Sequence, residues 1–549
     1  MRFARLLVAA ALLLLVPVQA ALADRKTVCT ITVNSPDERD IFRRYLPQDD
    51  FDFVELVERG RPDWLESACR RGVRCDVLLI SGHFDDGTQF YSDRLDAHEY
   101  LPVDELERVS CTESCPGLFS QLKEVYLFGC NTLNPQALRS TSAEVVRSLV
   151  RAGQSPLEAE QVARLLDQQH ADSNRDRMRQ IFRDVPVIYG FSSKAPLGPT
   201  AASVLDRYFQ SGGKGEVATG RASGKLLNLF APVSMTWSPG LSAADMQAAY
   251  RRDVCEFADD RRAPAQKLAF VRQLLQRDMG EVRMFLDRIE RQLQSLTPAQ
   301  RAQDAVTSAL ADIASDAALR KRFLDFARDA DQASTRARMI ELAQAFGWLS
   351  ESEMRAELVQ TVADRVARNA MGPAEIDLAC ALQSKHRLGN DLLAFPPLTS
   401  NSTVAHAAAL ACFGNAAARG RVLQALASPN DRDVELAQVY VQHQPVADAL
   451  ELRAIAKAVA GMAGPDAQVR ALDTLARQRV SDQQTLQELA RLFPSVRSLS
   501  VQRAIAGVLI RADYNALERP ALVRALRDHR VKSSEGPDVI DALIRRLQS

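Results

Sequence analysis

Two short apolar runs organise the first 240 positions. Residues 77–84 read Val-Leu-Leu-Ile-Ser-Gly-His-Phe, and residues 125–132 read Val-Tyr-Leu-Phe-Gly-Cys-Asn-Thr. Each has the length of a strand and no polar residue in its first four positions, the pattern of a strand buried on both faces. Residues 27–33 alternate and are rich in Val, Ile and Thr, which predicts another strand. Residues 51–57 and 185–191 predict two more. Between them, helical patterns cover 38–45, 62–71, 101–109, most of 141–183, and 199–209. Ser35, Pro36 and Asp37 form a turn and N-cap ahead of the first of these. Residues 84–91 carry an Asp-Gly turn between aromatics, a small hairpin. Strands alternating with helices predict an α/β domain over 24–240, with a mostly parallel sheet flanked by helices.

From about Leu241 strand signals vanish. Ala, Leu, Arg and Gln recur at helical spacing to the end of the chain, and 266–296 predicts a long helical pair. In the last third a loose motif returns in the segments beginning at Val404, Val434, Val469 and Val501, spaced 30, 35 and 32 residues apart. Periods of this size belong to stacked helix pairs that bury their faces against one another. The segment resembles HEAT repeats. The expected organisation is therefore a helical region over 241–390 followed by a helical-repeat solenoid over 391–549.

The N-terminus adds a location. Arg2 and Arg5 precede an apolar run at 6–16, and Ala21-Leu22-Ala23 supplies a small-residue cleavage pattern. This is the design of a cleavable secretory signal over 1–23, and the run is short for a bilayer span. No later stretch could cross a membrane. A secreted or periplasmic protein is expected. The 69 basic residues balance 69 acidic ones, which gives no reason to propose nucleic acid or an anionic membrane as partner. The Gly-rich patch at 212–215 is no phosphate cradle, because no buried strand runs directly into it.

Export makes the nine cysteines matter. An odd number leaves at least one outside an intramolecular disulfide. Cys69 with Cys75 and Cys111 with Cys115 stand close enough to staple local loops. Cys380 with Cys412 would clip neighbouring helices, and Cys29 would reach Cys255, leaving Cys130 over. Close cysteine pairs also suggest zinc, but the spacings lack a matching knuckle, and disulfides suit the compartment. No metal or organic cofactor is expected.

His83 and Cys130 end two apolar runs. If both runs stop at one edge of a parallel sheet, imidazole and thiol stand side by side where open α/β sheets carry their sites. That pair is the minimum kit for a cysteine nucleophile. Histidine before cysteine excludes a papain-like order. The text from Ser81-Gly82-His83 through Asp85-Asp86-Gly87 and Leu101-Pro102-Val103-Asp104 to Gly129-Cys130 resembles the caspase-like cysteine peptidases, and the 47-residue separation is typical of that group. The resemblance implies a His83/Cys130 dyad, with Cys130 attacking the scissile carbonyl and His83 protonating the leaving amine or keeping the thiolate ionised. It implies backbone N–H groups of Cys130 and Phe84 as the oxyanion donors. The family has glycine after the histidine, whereas here Gly82 precedes His83 and Phe84 follows. It also implies that the loop after the first strand sets specificity. That loop holds Asp37, with Glu38 and Asp40 nearby, an acidic pocket for arginine or lysine; on position alone, Asp37 reads as a helix N-cap. The other histidines lack such a context, and His406 and His443 fall within helical repeats.

Two functions from different classes follow. The favoured one is an exported cysteine endopeptidase acting on a peptide or protein substrate, with a protein partner or substrate on the solenoid. The alternative is a catalytically inactive caspase-like scaffold that serves as a periplasmic protein-binding module.

Overall fold

Strands form where the apolar runs were. In the computed structural model of the chain, β1 (Lys26–Thr32), β2 (Phe51–Glu55), β3 (Val77–Ser81), β6 (Glu124–Phe128), β7 (Val187–Phe191) and β8 (Met235–Ser238) make one six-stranded sheet, in the order β2-β1-β3-β6-β7-β8. The first five strands run parallel and β8 pairs antiparallel with β7. The structure describes residues 25–548 apart from 57–64, 85–86, 93–98, 112–114, 116, 137–141, 152, 171–172, 389–394, 427, 429, 463, 479, 513–516 and 533–537. The proposed leader at 1–23 lies outside the described residues.

The sheet is covered on both faces, which is why its strands read as continuous apolar runs. Helices α1 (Asp37–Tyr45), α2 (Glu66–Arg70), α3 (Val103–Cys111), α4 (Ser142–Arg151), α5 (Pro156–Gln169), α6 (Asn174–Ile181), α7 (Gly198–Gln210) and α8 (Gly224–Phe230) follow in order. Leu78 and Ile80 of β3 and Val125 and Leu127 of β6 pack with residues of α2, α3 and α6. Val77, Leu79, Tyr126 and Phe128, the alternate positions, pack with α1, α7 and α8 on the other face. Period-two alternation thus sorts each buried strand between two cores.

Several expectations change. Leu101 and Pro102 belong to a strand, β5 (Tyr100–Pro102), paired antiparallel with β4 (Gln89–Tyr91), so the helix starts at Val103. The short edge strand β8 was not expected, because four residues, buried only at Met235 and Ser238, give too little pattern to read. The anticipated helical pair at 266–296 is three helices, Pro264–Leu275, Met279–Met284 and Leu286–Ser295. Asp278 caps the second by accepting the Gly280 N–H at 2.8 Å. Beyond the Gly-rich patch, the N–H groups of Ala218, Thr219 and Gly220 donate to the carboxylate of Glu124. The chain fills this cradle with its own anion.

Three of the four cysteine pairings also differ. The disulfides are Cys29–Cys75, Cys69–Cys115, Cys111–Cys255 and Cys380–Cys412. Only the last matches the sequence reading. Sequence neighbours such as Cys69 and Cys75 instead bond to different elements, because β1 lies beside β3 and brings Cys29 to Cys75 with Cα atoms 5.6 Å apart. Cys130 remains a free thiol.

The chain divides into two compact units between Ile313 and Ala314. The second is all-helical in its described residues. There, helix Asp431–His443 packs on Pro465–Arg477, that helix on Leu499–Leu509, and the last on Val539–Gln548. The recurring valines 434, 469 and 501 each mark one helix of this series, and Val434 and Val501 are fully buried. No helix among the described residues is long and apolar enough to cross a membrane.

Candidate active site

The C-terminal ends of β1, β3, β6 and β7 meet at one edge of the sheet. Ser81 stands level with Phe128 across the β3–β6 pair, and the Gly82 N–H donates to the Phe128 carbonyl at 3.1 Å. His83 and Cys130, each two residues further on, therefore continue adjacent strands in the same row. Their face follows from their neighbours. A Cβ on Gly129 would stand 2.8 Å from both the Gly82 carbonyl and Phe84 Cβ, and one on Gly82 would stand 3.3 Å from Phe90 and Val33. Both glycines thus direct their empty side toward the α2/α3/α6 core. Alternation sends His83 and Cys130 to the opposite face, beside α1 and α7. The Ala195 N–H, from the loop between β7 and α7, donates to Cys130 Sγ at 3.3 Å, in agreement with that direction. Both residues are half-buried.

The His83 side is held by a hairpin. His83 and Tyr91 exchange backbone hydrogen bonds of 2.9 and 3.0 Å, and their rings lie 5.4 Å apart. The Asp-Gly turn of this hairpin includes Gly87 at φ +76°; Asp85 and Asp86 lie outside the described residues. Phe84 is fully buried and packs on Phe90 with ring centroids 4.6 Å apart. The bulky residue after the histidine is accommodated because position 129 has no side chain.

The Cys130 side is a tight turn. Asn131 takes the left-handed conformation at φ +59°, which costs a non-glycine residue energy and persists only where neighbours impose it. Its N–H donates to the Ser193 carbonyl at 2.6 Å. Thr132 Oγ1 donates to the Gly129 carbonyl and accepts from the Phe191 N–H, both at 3.1 Å.

The sequence reading missed Asn174 and the loop 192–197. Asn174, at the start of α6 and 4% exposed, donates from Nδ2 to the Asn131 carbonyl at 3.1 Å. Its Oδ1 lies so close to Gly87 that an added Cβ would come within 2.4 Å. Arg177, one turn on, donates to the Gly87 carbonyl at 2.9 Å. One helix terminus therefore ties the cysteine turn to the histidine hairpin. Nothing local in the sequence marks Asn174, which reads as one polar residue among many.

Asp37 sits at the same edge but is not the helix cap. Pro36 occupies the N-cap position without a side-chain hydrogen bond. Ser35 Oγ accepts from the Asp37 N–H and donates to Asp37 Oδ2, at 3.1 and 2.6 Å. The pair abuts Gly198 at the start of α7, where a Cβ would stand 2.6 Å from Asp37 Oδ2. The 192–197 loop thus runs from Cys130 to Asp37. Glu38, beside it, is 2% exposed and accepts the Ser81 hydroxyl at 2.9 Å. Burial pushes its carboxyl up to about 7, against the opposing pull of its own backbone N–H and the Ser81 hydroxyl. His406 donates from Nε2 to the Pro396 carbonyl, and His443 meets Asp377, both in the second unit.

A scan against protein-family models finds no match to this chain, and neither does a search of curated proteins.

Proposed function

We propose that the chain is an exported cysteine endopeptidase of caspase-like type, in which His83 and Cys130 form the dyad. The supporting observation is that His83 and Cys130 continue adjacent parallel strands in one row and on one face, with Cys130 the one cysteine outside the disulfides. In this reading the Cys130 thiolate attacks the substrate carbonyl carbon, forming the C–S bond. The C–N bond then breaks as His83 gives its proton to the leaving amine, and water hydrolyses the thioester. Backbone N–H groups of Cys130 and Phe84 would hold the oxyanion, and Asp37 would meet a basic side chain before the cleaved bond. Four disulfides are the usage of a chain folded in an oxidising compartment. The helices of the second unit, each packed on the next but one, would form the HEAT-like surface that receives a substrate or partner protein.

Turnover of fluorogenic peptides varied at the residue before the cleaved bond tests this. Cys130→Ala should abolish turnover, and His83→Ala should lower kcat by about 10²–10⁴-fold, the range of general acid–base catalysis. A preference for arginine or lysine lost in Asp37→Asn would assign Asp37 to the pocket. The second reading, an inactive scaffold that binds proteins, draws on Phe84 in place of glycine and on the Ala195 N–H that meets the thiol. Failure to cleave any peptide, with a thiol no more reactive than a denatured-protein cysteine, would decide for it.

A further inference from the structure

A carboxyl is built in beneath the strand ends. Ser81 is the last residue of β3, and His83 is the next position on the same face, about 7 Å further along. Glu38, from the first turn of α1, reaches under this row to accept the Ser81 hydroxyl. Buried carboxylates are costly unless something uses or compensates the charge, and among the described residues the side chain bonded to Glu38 is an uncharged serine. We propose that Glu38 is a positioning residue for the candidate dyad, whose ionisation raises the reactivity of Cys130 by acting on His83. The proposal rests on the dyad reading above.

The sign follows from distance. His83 shares a strand with Ser81, whereas Cys130 lies one strand further away. An anion at Glu38 stabilises an imidazolium on His83 more than it opposes a thiolate on Cys130, so it favours the thiolate–imidazolium pair. Because burial places the Glu38 carboxyl near 7, this change of charge falls in the neutral range. The other ionisable groups nearby come from every element around it. Asp37 adjoins it on α1 and adds repulsion. Arg39 is held by Asp40 and by Glu55 of β2, which also accepts from Thr30 and Thr32 of β1. Lys194 is exposed in the loop after β7. Asp206 of α7 meets Tyr45 at the far end of α1. Only Glu38 hydrogen-bonds a side chain of the histidine strand among these.

Alkylation of Cys130 by iodoacetamide in the full mature chain between pH 5 and 9, without reductant, reads this directly, since the other eight cysteines are in disulfides. The ratio of wild-type to Glu38→Gln rates should be near unity at pH 5 and rise to about threefold at pH 8, the differential of one charge over these distances. Ser81→Ala, which removes a hydrogen bond favouring the carboxylate, should move the rise to higher pH. In a His83→Ala background the rise should vanish and the ratio should stay at or below unity, since only the repulsion of the thiolate remains. Superimposable wild-type and Glu38→Gln profiles overturn the proposal, as does a rise that persists without His83. Absence of peptide cleavage with the ratio intact would sink the peptidase reading while leaving this one standing.

Discussion

Glu38 carries a consequence for stability that is separate from any activity. Its folded-state value is raised to about 7 from an ordinary 4.5, so the folded protein holds this proton more tightly than the unfolded chain. The resulting stability is fully present below pH 4.5 and is lost as pH rises through 7. Across that window wild type should lose about 3 kcal/mol relative to Glu38→Gln. Urea titrations at pH 4.5 and pH 8 measure the difference, and equal losses in both proteins would remove Glu38 as the cause. At the same scale, the sequence displayed His83 and Cys130 by their places at the ends of apolar runs. It could not display Glu38, which in a charged stretch looks like any solvated acid. Its burial comes from α1 packing on the face where Ser81 points.

At the level of elements, the site is a junction of a hairpin, a turn and a helix terminus. Gly129 makes the junction possible, since a methyl there would strike both the Gly82 carbonyl and Phe84. Gly129→Ala should cost about 1–3 kcal/mol, as overpacking does in cores, and the midpoint of urea unfolding reports it. Asn174→Ala should cost about 0.5–1.5 kcal/mol, because it removes one of two hydrogen bonds to the Asn131 carbonyl, which keeps the Asn134 N–H. It should also change the rate of Cys130 alkylation, since the turn that follows the thiol loses its tie to α6. An unchanged rate would restrict Asn174 to a structural part. Strand and helix identities were legible here because two-sided burial writes long apolar runs. The β4–β5 pairing and β8 were not, since three- and four-residue strands leave almost no periodic trace.

For the whole molecule, the disulfides show how tertiary placement overrides sequence proximity. Cys29–Cys75 fixes β1 against the approach to β3, at the centre of the sheet. Replacing both with alanine should cost about 2–5 kcal/mol, the usual loss for a native disulfide, read as a lowered unfolding midpoint. Peptide mapping under non-reducing conditions should recover Cys29 with Cys75, Cys69 with Cys115 and Cys111 with Cys255. A Cys69–Cys75 peptide would contradict the structure. The helical character of the second unit was legible from its 3.6-residue spacing. Val404, Val434, Val469 and Val501 each fall in a helix of that unit, with Val434 and Val501 fully buried and Val404 and Val469 half-buried.

Taken alone, the sequence determined the longer elements and the α/β-then-helical class. Apolar runs of strand length, helical spacing, an odd cysteine and a histidine–cysteine order are local patterns, and local patterns survive in one dimension. Only the tertiary structure decided which cysteines meet, that Asp37 bonds Ser35 instead of capping its helix, and that Asn174 and Glu38 support the strand ends. Those are facts of register and face. The parallel strands of this sheet pair residues 25 to 63 positions apart, and no feature of the intervening text records which of them will be level.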